Sequence, residues 1–414
     1  MKYLWFCVCG FDSTTNNKQQ TSLTGRQRTT NNKQIILPMN KQKIWLASPH
    51  MGGNEMKYVQ EAFDTNWVAP IGANVDGFED DLANYTGAKG VAAITTGTAA
   101  IHLALIMLGI KNGDEVLTSS LTFSASANPI TYQGAIPIFI DSEEETWNIS
   151  PKLLELAIQD RIAKGKTPKA IIVVHLYGMP AKMDEIMRIS QLYDIPVIED
   201  SAESLGSQFK GKQLGTYGKM GILSFNGNKI ITTSGGGALI SNNEKYIKKA
   251  RFLATQARDD APHYQHSEIG YNYRMSNIVA GIGRGQMEVL PLRIEKKREI
   301  FAFYKELFSE IPEVTLLEEP SKDYFSNYWL TSIIINSKDK DREGLRLALE
   351  ADNIEARPLW KPMHLQPVFA DCPAYVDGTS EQLFNNGLCM PSDSNMTEDD
   401  RIRIKKVVLD YFKK

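Results

Sequence analysis

Residues 91–108 read VAAITTGTAAIHLALIML, and this stretch decides the fold class. The apolar run at 91–95 predicts a buried strand, Thr96-Gly97-Thr98 predicts a tight turn, and the apolar run at 99–108 predicts a buried helix. Units of strand, turn and helix are typical of α/β proteins, in which a largely parallel sheet lies between layers of helices.

The same alternation of short apolar runs and helical periodicity recurs along the chain. Short apolar runs that predict strands lie at residues 115–118, 136–140, 170–174, 196–200, 220–225, 237–241 and 328–335. Helical periodicity lies at residues 55–65, 75–86, 276–310, 341–352 and 399–412. We therefore predict a large domain at 43–290, built on a mainly parallel sheet between helices, and a smaller C-terminal α/β domain at 291–414.

Length and composition exclude several classes of protein. The 414 residues suffice for two or three domains at about 150 residues each. Lys and Arg number 46 against 49 Asp and Glu, so the charge carries no bulk bias toward nucleic acid or anionic membranes. No run approaches the roughly 18 apolar residues of a membrane-spanning helix. The four cysteines lack metal-ligand spacing, and we expect a soluble, cytoplasmic protein with reduced thiols and no metal site.

The N-terminal segment differs in composition from the rest. Residues 12–40 are rich in Thr, Asn, Gln and Lys, and the hexapeptide TTNNKQ starts at both Thr14 and Thr29. Such a segment cannot bury enough apolar surface to offset the entropy lost on ordering. We expect residues 1–42 to form a disordered extension, with Met39 as a candidate start of translation.

Three features of the predicted large domain can carry chemistry. The turn 96–100 precedes a helix, where free N–H groups favour a phosphate, although a plain turn with Thr98 as the helix N-cap is the alternative. Asp200 ends a strand, where open α/β sheets place ligands, or it is itself a helix N-cap. Lys229 lies between an apolar strand and a triple-glycine turn, where it is either a nucleophile or an ordinary surface lysine.

Together these features match one cofactor. Pyridoxal phosphate needs a phosphate anchor, an acid that keeps its ring nitrogen protonated, and a lysine that forms a Schiff base. Phe123 also follows a predicted strand end, where its ring can stack on the cofactor or simply pack in the core.

Several longer motifs are similar to those of one family. They are TGTAAIHLAL at 96–105, TFSASAN at 122–128, HLYG at 175–178, IEDSAESLG at 198–206, SFNGNK at 224–229 and GYNYRMS at 270–276. With these motifs the chain resembles, from about Ile44 to Phe412, the DegT/StrS family of sugar-nucleotide aminotransferases, which use pyridoxal phosphate on the type I aminotransferase fold. The segments at 49–53, 66–70, 264–268 and 359–364 resemble its EpsN-like branch and the enzymes that aminate UDP-4-keto-6-deoxy-N-acetylhexosamines.

The resemblance implies a role for each matching residue. Lys229 would be the catalytic Schiff-base lysine and proton carrier. The implied cofactor-binding residues are Gly97, Thr98 and Ser224 at the phosphate, Phe123 stacked on the ring, Asp200 at the ring nitrogen, Glu203 near the ring hydroxyl, and Asn272 at the phosphate of the neighbouring subunit in a homodimer. The implied substrate-binding residues are His266, Trp360, Lys361 and His364, near the nucleotide sugar.

The implied reaction moves an amino group from glutamate to C4 of a nucleotide-linked 4-keto-6-deoxy sugar. The expected acceptor is UDP-2-acetamido-2,6-dideoxy-4-hexulose, for the synthesis of surface polysaccharide or glycan. Alternatives are a dehydratase, whose family members carry histidine where Lys229 stands, and a regulator, for which the sequence shows no basic face or helix-turn-helix. A nicotinamide dehydrogenase is disfavoured because no G-x-G-x-x-G joins a first strand to its helix.

Overall fold

The computed structural model describes residues 41–413, so the predicted N-terminal extension lies outside the described residues apart from its last two positions. The α-helices of this part are α1 (Glu55–Asp64), α2 (Ala73–Thr86), α3 (Gly97–Met107), α4 (Ser124–Tyr132), α5 (Pro151–Ala163), α6 (Met183–Tyr193), α7 (Glu244–Ala254), α8 (Asn277–Phe308), α9 (Arg342–Ala351), α10 (Thr379–Asn386) and α11 (Glu398–Lys413).

The strands alternate with these helices over most of the chain. They are β1 (Gly90–Ile94), β2 (Glu115–Ser119), β3 (Ile136–Ile140), β4 (Ala170–Val174), β5 (Val197–Asp200), β6 (Gln208–Phe209), β7 (Lys212–Gln213), β8 (Met220–Ser224), β9 (Gly237–Ser241), β10 (Val314–Leu316), β11 (Tyr324–Phe325), β12 (Ser332–Ile335), β13 (Arg357–Pro358), β14 (Ala374–Tyr375) and β15 (Gly387–Cys389).

The largest sheet has the strand order β1-β9-β8-β5-β4-β2-β3-β14. Neighbouring strands from β8 to β14 in this order are parallel, and β9 runs antiparallel to both β1 and β8. The prediction of a mainly parallel sheet is therefore confirmed.

Helices cover both faces of this sheet. Successive residues of a strand point to opposite sides, so each strand packs against both layers of helices. In β1, Ala92 and Ile94 pack into a core with α3 and α7, whereas Val91 and Ala93 pack into a second core with α2 and α8. On the far side of the sheet, β2 to β5 pack against α5 and α6. A strand that is buried on both faces leaves a continuous apolar run in the sequence, which is why these strands were predictable.

A second sheet lies in the C-terminal part of the chain. Its order is β10-β12-β15-β13, with antiparallel pairing throughout, and α9, α11 and the last turns of α8 cover it. Helix α8 continues through Pro291 and contributes Leu290 to the large core and Tyr304 to the small one. The predicted domain boundary at 290 thus falls inside a single helix, and it stays a prediction.

The strand predicted at 328–335 is wrong in its first four residues. Strand β12 begins only at Ser332, and Tyr328 has a left-handed φ of 47°. The N–H of Tyr328 donates to the hydroxyl of Ser326 at 3.0 Å, and the N–H of Trp329 donates to Oδ1 of Asn327 at 2.8 Å. Side chains therefore replace the partner strand as hydrogen-bond acceptors here, which apolarity alone does not reveal.

Among the helices of residues 41–413, none is both long enough and apolar enough to cross a membrane. The cytoplasmic location stays a prediction.

Gly237→Ala tests a close backbone approach in the large sheet. A Cβ at Gly237 would lie 2.4 Å from the N atom of Gly97 and 2.5 Å from the carbonyl carbon of Thr96, whereas a Cβ at Gly235 meets nothing within 4 Å. We expect Gly237→Ala to lower the free energy of unfolding by about 2 kcal/mol or more, and Gly235→Ala to change it by about 0.5 kcal/mol at most. Urea unfolding of both variants measures this, and equal losses would contradict the packing argument.

Candidate active site

The candidate active site lies at the edge of the large sheet where parallel strands end. Asp200 is the last residue of β5, Ser224 is the last residue of β8, and β1, which has the same direction as β8, leads into α3. Open α/β sheets bind their ligands at this edge.

The first turn of α3 forms an anion site. The side chain of Thr96 accepts a hydrogen bond from the N–H of Ala99 at 3.0 Å, so the helix cap is Thr96 and the alternative with Thr98 as the cap is wrong. Within the described residues the N–H groups of Gly97 and Thr98 and the hydroxyl of Thr98 have no hydrogen-bond partner. A Cβ at Gly97 would lie 3.2 Å from Cβ of Ser224, so the Ser224 side chain lies beside this helix end. Free N–H groups and hydroxyls at a helix N-terminus suit a phosphate.

Asp200 is buried and held in one orientation. Its Oδ2 accepts a hydrogen bond from the hydroxyl of Ser126 at 2.6 Å, and its Oδ1 accepts one from the N–H of Ala202 at 3.2 Å. Ser126 is in turn 2.8 Å from Oγ1 of Thr122. The next α-helix begins only at Glu244, so Asp200 is not a helix cap. A carboxylate that accepts two hydrogen bonds keeps lone pairs for a protonated ring nitrogen.

Lys229 is paired rather than solvated. Its Nζ lies 3.0 Å from Oε1 of Glu203 and 4.2 Å from the centre of the Trp329 ring, and only 13% of its side chain is exposed. The alternative of an ordinary surface lysine is therefore wrong. Burial raises the pKa of the Glu203 carboxyl above its ordinary value, and the Lys229 ammonium opposes that shift. Oε2 of Glu203 accepts a hydrogen bond from the N–H of Tyr177 at 2.8 Å.

Aromatic rings extend from Lys229 toward the surface. The Trp329 and Tyr177 rings are stacked with centres 6.5 Å apart, Tyr177 and Trp360 are 5.2 Å apart, and Trp360 and Phe123 are 5.6 Å apart. Phe123 is 57% exposed, so the alternative that it only packs in the core is wrong. An exposed ring at a strand end is available to stack on a flat ligand.

The predicted substrate residues are only partly brought together. Lys361 is exposed next to Trp360, whereas His364 is already engaged: Nδ1 lies 2.6 Å from the Ser120 hydroxyl and Nε2 lies 3.1 Å from Oε1 of Glu381. Each of these substrate contacts stays a prediction.

His266 and Asn272 lie apart from this group. Both are exposed, and neither has a hydrogen bond or ring contact with the residues around Lys229 within the described chain. Nδ1 of His266 lies 2.8 Å from the carbonyl oxygen of Gln256.

Sequence reasoning missed three residues of the site. Ser126 orients Asp200, Trp329 covers Lys229, and Tyr177 contacts both Glu203 and Trp360. One signal was available, because Tyr177 lies in the HLYG motif at 175–178. Trp329 carried no such signal.

A buried acid at a parallel strand end, a paired lysine and an anion site at a helix N-terminus share one sheet edge. These are the groups that bind pyridoxal phosphate, so fold and site define a pyridoxal-phosphate enzyme of the type I aminotransferase fold. Residues 49–409 match the DegT/DnrJ/EryC1/StrS aminotransferase family, and the chain belongs to this family. It is a sugar aminotransferase that uses pyridoxal phosphate.

Three relatives show how far the likeness extends. The chain is 53% identical over 374 residues to EpsN of Bacillus subtilis, whose name assigns it provisionally to the pyridoxal-phosphate-dependent aminotransferases; the match covers 89% of this chain and 96% of EpsN. It is 37% identical to the GDP-perosamine synthase of Escherichia coli O157:H7, covering 88% and 97% of the two chains. It is 39% identical to the UDP-4-amino-4,6-dideoxy-N-acetyl-beta-L-altrosamine transaminase of Campylobacter jejuni, covering 58% and 63%.

A solved structure supports the fold assignment. The crystal structure of a DegT DnrJ EryC1 StrS aminotransferase from Brucella abortus superposes with a TM-score of 0.82 at 28% identity, covering 87% of this chain and 96% of that one.

Asp200→Asn tests the predicted partner of the ring nitrogen. The amide has no negative charge to offer a protonated ring, so we expect the affinity for pyridoxal phosphate to fall by about 10-fold or more and the visible absorbance of the bound cofactor to change. The matched control is Asp141→Asn, because Asp141 follows β3 in the same sheet but accepts from the N–H groups of Ser142, Asp377, Gly378 and Ser380.

The control variant should lose thermal stability, because those four donors lose a charged acceptor, and should keep its cofactor affinity. Equal losses of affinity in both variants would show that Asp200 acts only on the fold.

Proposed function

We propose that this protein transfers an amino group from glutamate to C4 of a nucleotide-linked 4-keto-6-deoxy sugar, in the synthesis of a surface polysaccharide or glycan. The observation that carries the proposal is the paired Lys229, held 3.0 Å from Glu203 at the sheet edge that also holds Asp200. The Campylobacter relative is named for a 4-amino-4,6-dideoxy sugar linked to UDP, which supports C4 as the site of amination.

Bound pyridoxal phosphate would supply an electron sink and carry the amino group between donor and acceptor. The amine of Lys229, once free, removes the proton from the α-carbon of glutamate and later delivers a proton to C4 of the sugar. Glu203 holds the ammonium in place while Lys229 carries that proton. Asp200 stabilises positive charge on the ring nitrogen, and Ser126 holds Asp200 in the orientation that this requires.

The outer part of the site suits a nucleotide sugar. The ring of Trp360 offers a flat apolar surface for a base or a sugar, and the exposed ammonium of Lys361 offers a charge for a diphosphate. The names of the relatives include both a GDP sugar and a UDP sugar. UDP-2-acetamido-2,6-dideoxy-4-hexulose is our first acceptor, and a GDP-linked 4-keto-6-deoxy sugar is the comparison.

The site is also proposed to be shared between two copies of the chain. Asn272 is exposed, and its side chain has no hydrogen-bond partner within residues 41–413. The residues that follow Asn272 in the chain are hydrogen-bonded to the loop that contains Trp67. Nδ2 of Asn277 donates to the carbonyl oxygen of Trp67 at 2.8 Å, and the N–H of Asn277 donates to the carbonyl oxygen of Ala69 at 3.0 Å. The large apolar side chains exposed on this loop are Trp67, Val68 and Ile71. Contiguous exposed apolar side chains mark interaction surfaces, and here we propose a second copy as the partner.

The first half-reaction tests Lys229. We expect purified protein with pyridoxal phosphate to be yellow, to lose that colour on addition of glutamate, and to retain the cofactor on Lys229 after borohydride reduction, as shown by peptide mass spectrometry. Lys229→Ala should show neither the reduced adduct nor the response to glutamate, and Lys212→Ala, at an exposed position, should behave as wild type.

The second half-reaction tests the acceptor. The glutamate-treated protein should convert one of the two keto sugars to an amino sugar that mass spectrometry detects. Wild-type protein that stays colourless with added cofactor would overturn the assignment of Lys229, whereas a coloured protein that converts neither sugar would overturn only the acceptor.

Mixing two inactive variants tests the shared site. If Asn272 of one copy completes the site that contains Lys229 of the other, a mixed dimer of Lys229→Ala and Asn272→Ala contains one intact site. We expect co-expressed variants to regain about a quarter of wild-type activity, since about half of randomly formed dimers are mixed and each has one of two sites intact. Activity no greater than that of Asn272→Ala alone would show that each chain builds its own site.

A further inference from the structure

Tyr177 lies in the HLYG motif, and the function described so far gives it no role. Its side chain is only 1% exposed, and its φ of 53° lies in the left-handed region that is unfavourable for a non-glycine residue. A strained, buried residue beside a reactive lysine points to a functional constraint.

We propose that Tyr177 is a positioning residue that joins the Glu203–Lys229 pair to the segment at 359–364, and that this connection sets the affinity for the sugar nucleotide. The inference rests on the proposed function, because it takes Trp360 and Lys361 as part of the acceptor site.

The backbone of Tyr177 makes the first half of the connection. Its N–H donates to Oε2 of Glu203 at 2.8 Å, while Oε1 of the same carboxylate contacts Nζ of Lys229 at 3.0 Å. Each carboxylate oxygen therefore has its own partner, and the orientation of Glu203 depends on the conformation of Tyr177.

The side chain of Tyr177 makes the second half. Its hydroxyl accepts a hydrogen bond from the N–H of Trp360 at 3.1 Å. Its ring lies between the rings of Trp329 and Trp360. One residue thus contacts the reactive pair on one side and the proposed acceptor segment on the other.

The acceptor segment has few other attachments near Trp360. The N–H of Leu359 donates to the carbonyl oxygen of Gly387 at 3.1 Å, and the N–H of Met363 donates to that of Ser120 at 2.7 Å. Between these two points, Tyr177 provides the one hydrogen bond that the backbone of Trp360 makes within the described chain. Removal of the hydroxyl leaves the Trp360 backbone without this bond, while the Lys361 carbonyl oxygen still accepts from Nε2 of Gln366 at 3.2 Å.

The experiment compares Tyr177→Phe with Tyr304→Phe in the holoenzyme. Tyr304 is also fully buried, and its hydroxyl donates to the carbonyl oxygen of Pro391 at 2.8 Å in the small core. For Tyr177→Phe we expect KM for the keto sugar that wild type converts to rise about 3- to 10-fold, while the rate with glutamate alone stays within about twofold, because the lost hydrogen bond holds only the acceptor segment. Tyr304→Phe should lose a similar amount of stability and leave both quantities unchanged.

Hydrogen exchange of the peptide that contains Trp360 supplies a readout that needs no acceptor. Tyr177→Phe should speed exchange of the Trp360 amide, and Tyr304→Phe should not. The proposal is overturned if Trp360 exchange is unchanged, if KM is unchanged, or if the glutamate rate falls as much as the sugar reaction. If wild type converts neither keto sugar but the Trp360 amide is exposed in Tyr177→Phe, the acceptor assignment fails while the connection to Trp360 stands.

Discussion

The arrangement of the site depends on one close backbone contact, between the turn that precedes α3 and the first residue of β9. Gly237 pairs with both Ile94 and Ser224, and any side chain at Gly237 would overlap the backbone of Thr96 and Gly97. This contact brings the helix N-terminus, the end of β8 and the start of β9 together. Phosphate anchor and strand end are therefore positioned by backbone atoms.

The loop that carries Lys229 is fixed by the same part of the sheet. It leaves β8 and returns at β9, and it is closed by hydrogen bonds from the N–H of Phe225 to the carbonyl oxygen of Gly236 and from the N–H of Thr233 to that of Phe225, both at 2.9 Å. Lys229 thus has little freedom of backbone position. Its side chain is then directed by Glu203 and Trp329, which belong to other parts of the chain.

Features of the fold and site were predictable where they depend on residues close together in the sequence, and not where they depend on residues far apart. Strands β3, β4 and β9 have the predicted bounds, because both faces of each strand are buried and nearly all of its residues are apolar. Asp200, the turn at 96–98 and Lys229 were predictable from their places at strand ends: Asp200 ends β5, the turn follows β1, and Lys229 lies in the loop that follows β8. Ser126 and Asp200 are 74 residues apart, and Trp329 and Lys229 are 100 apart, so no local pattern joins them. The strand prediction around Tyr328 was wrong for a local reason. The apolar side chains there predicted a strand, but neighbouring polar side chains accept the backbone hydrogen bonds and interrupt it.

The charges of the site determine which interactions can hold a phosphate there. Asp200 and Glu203 are both acidic, and Lys229 is the cation paired with Glu203. The polar groups at the N-terminus of α3 belong to Gly97, Thr98 and Ser224, none of which carries a positive charge. A helix N-terminus contributes roughly half a positive charge, so a phosphate there is held by hydrogen bonds more than by charge. The hydroxyls of Thr98 and Ser224 and the free N–H groups of Gly97 and Thr98 are then the donors on which a phosphate at this helix end depends.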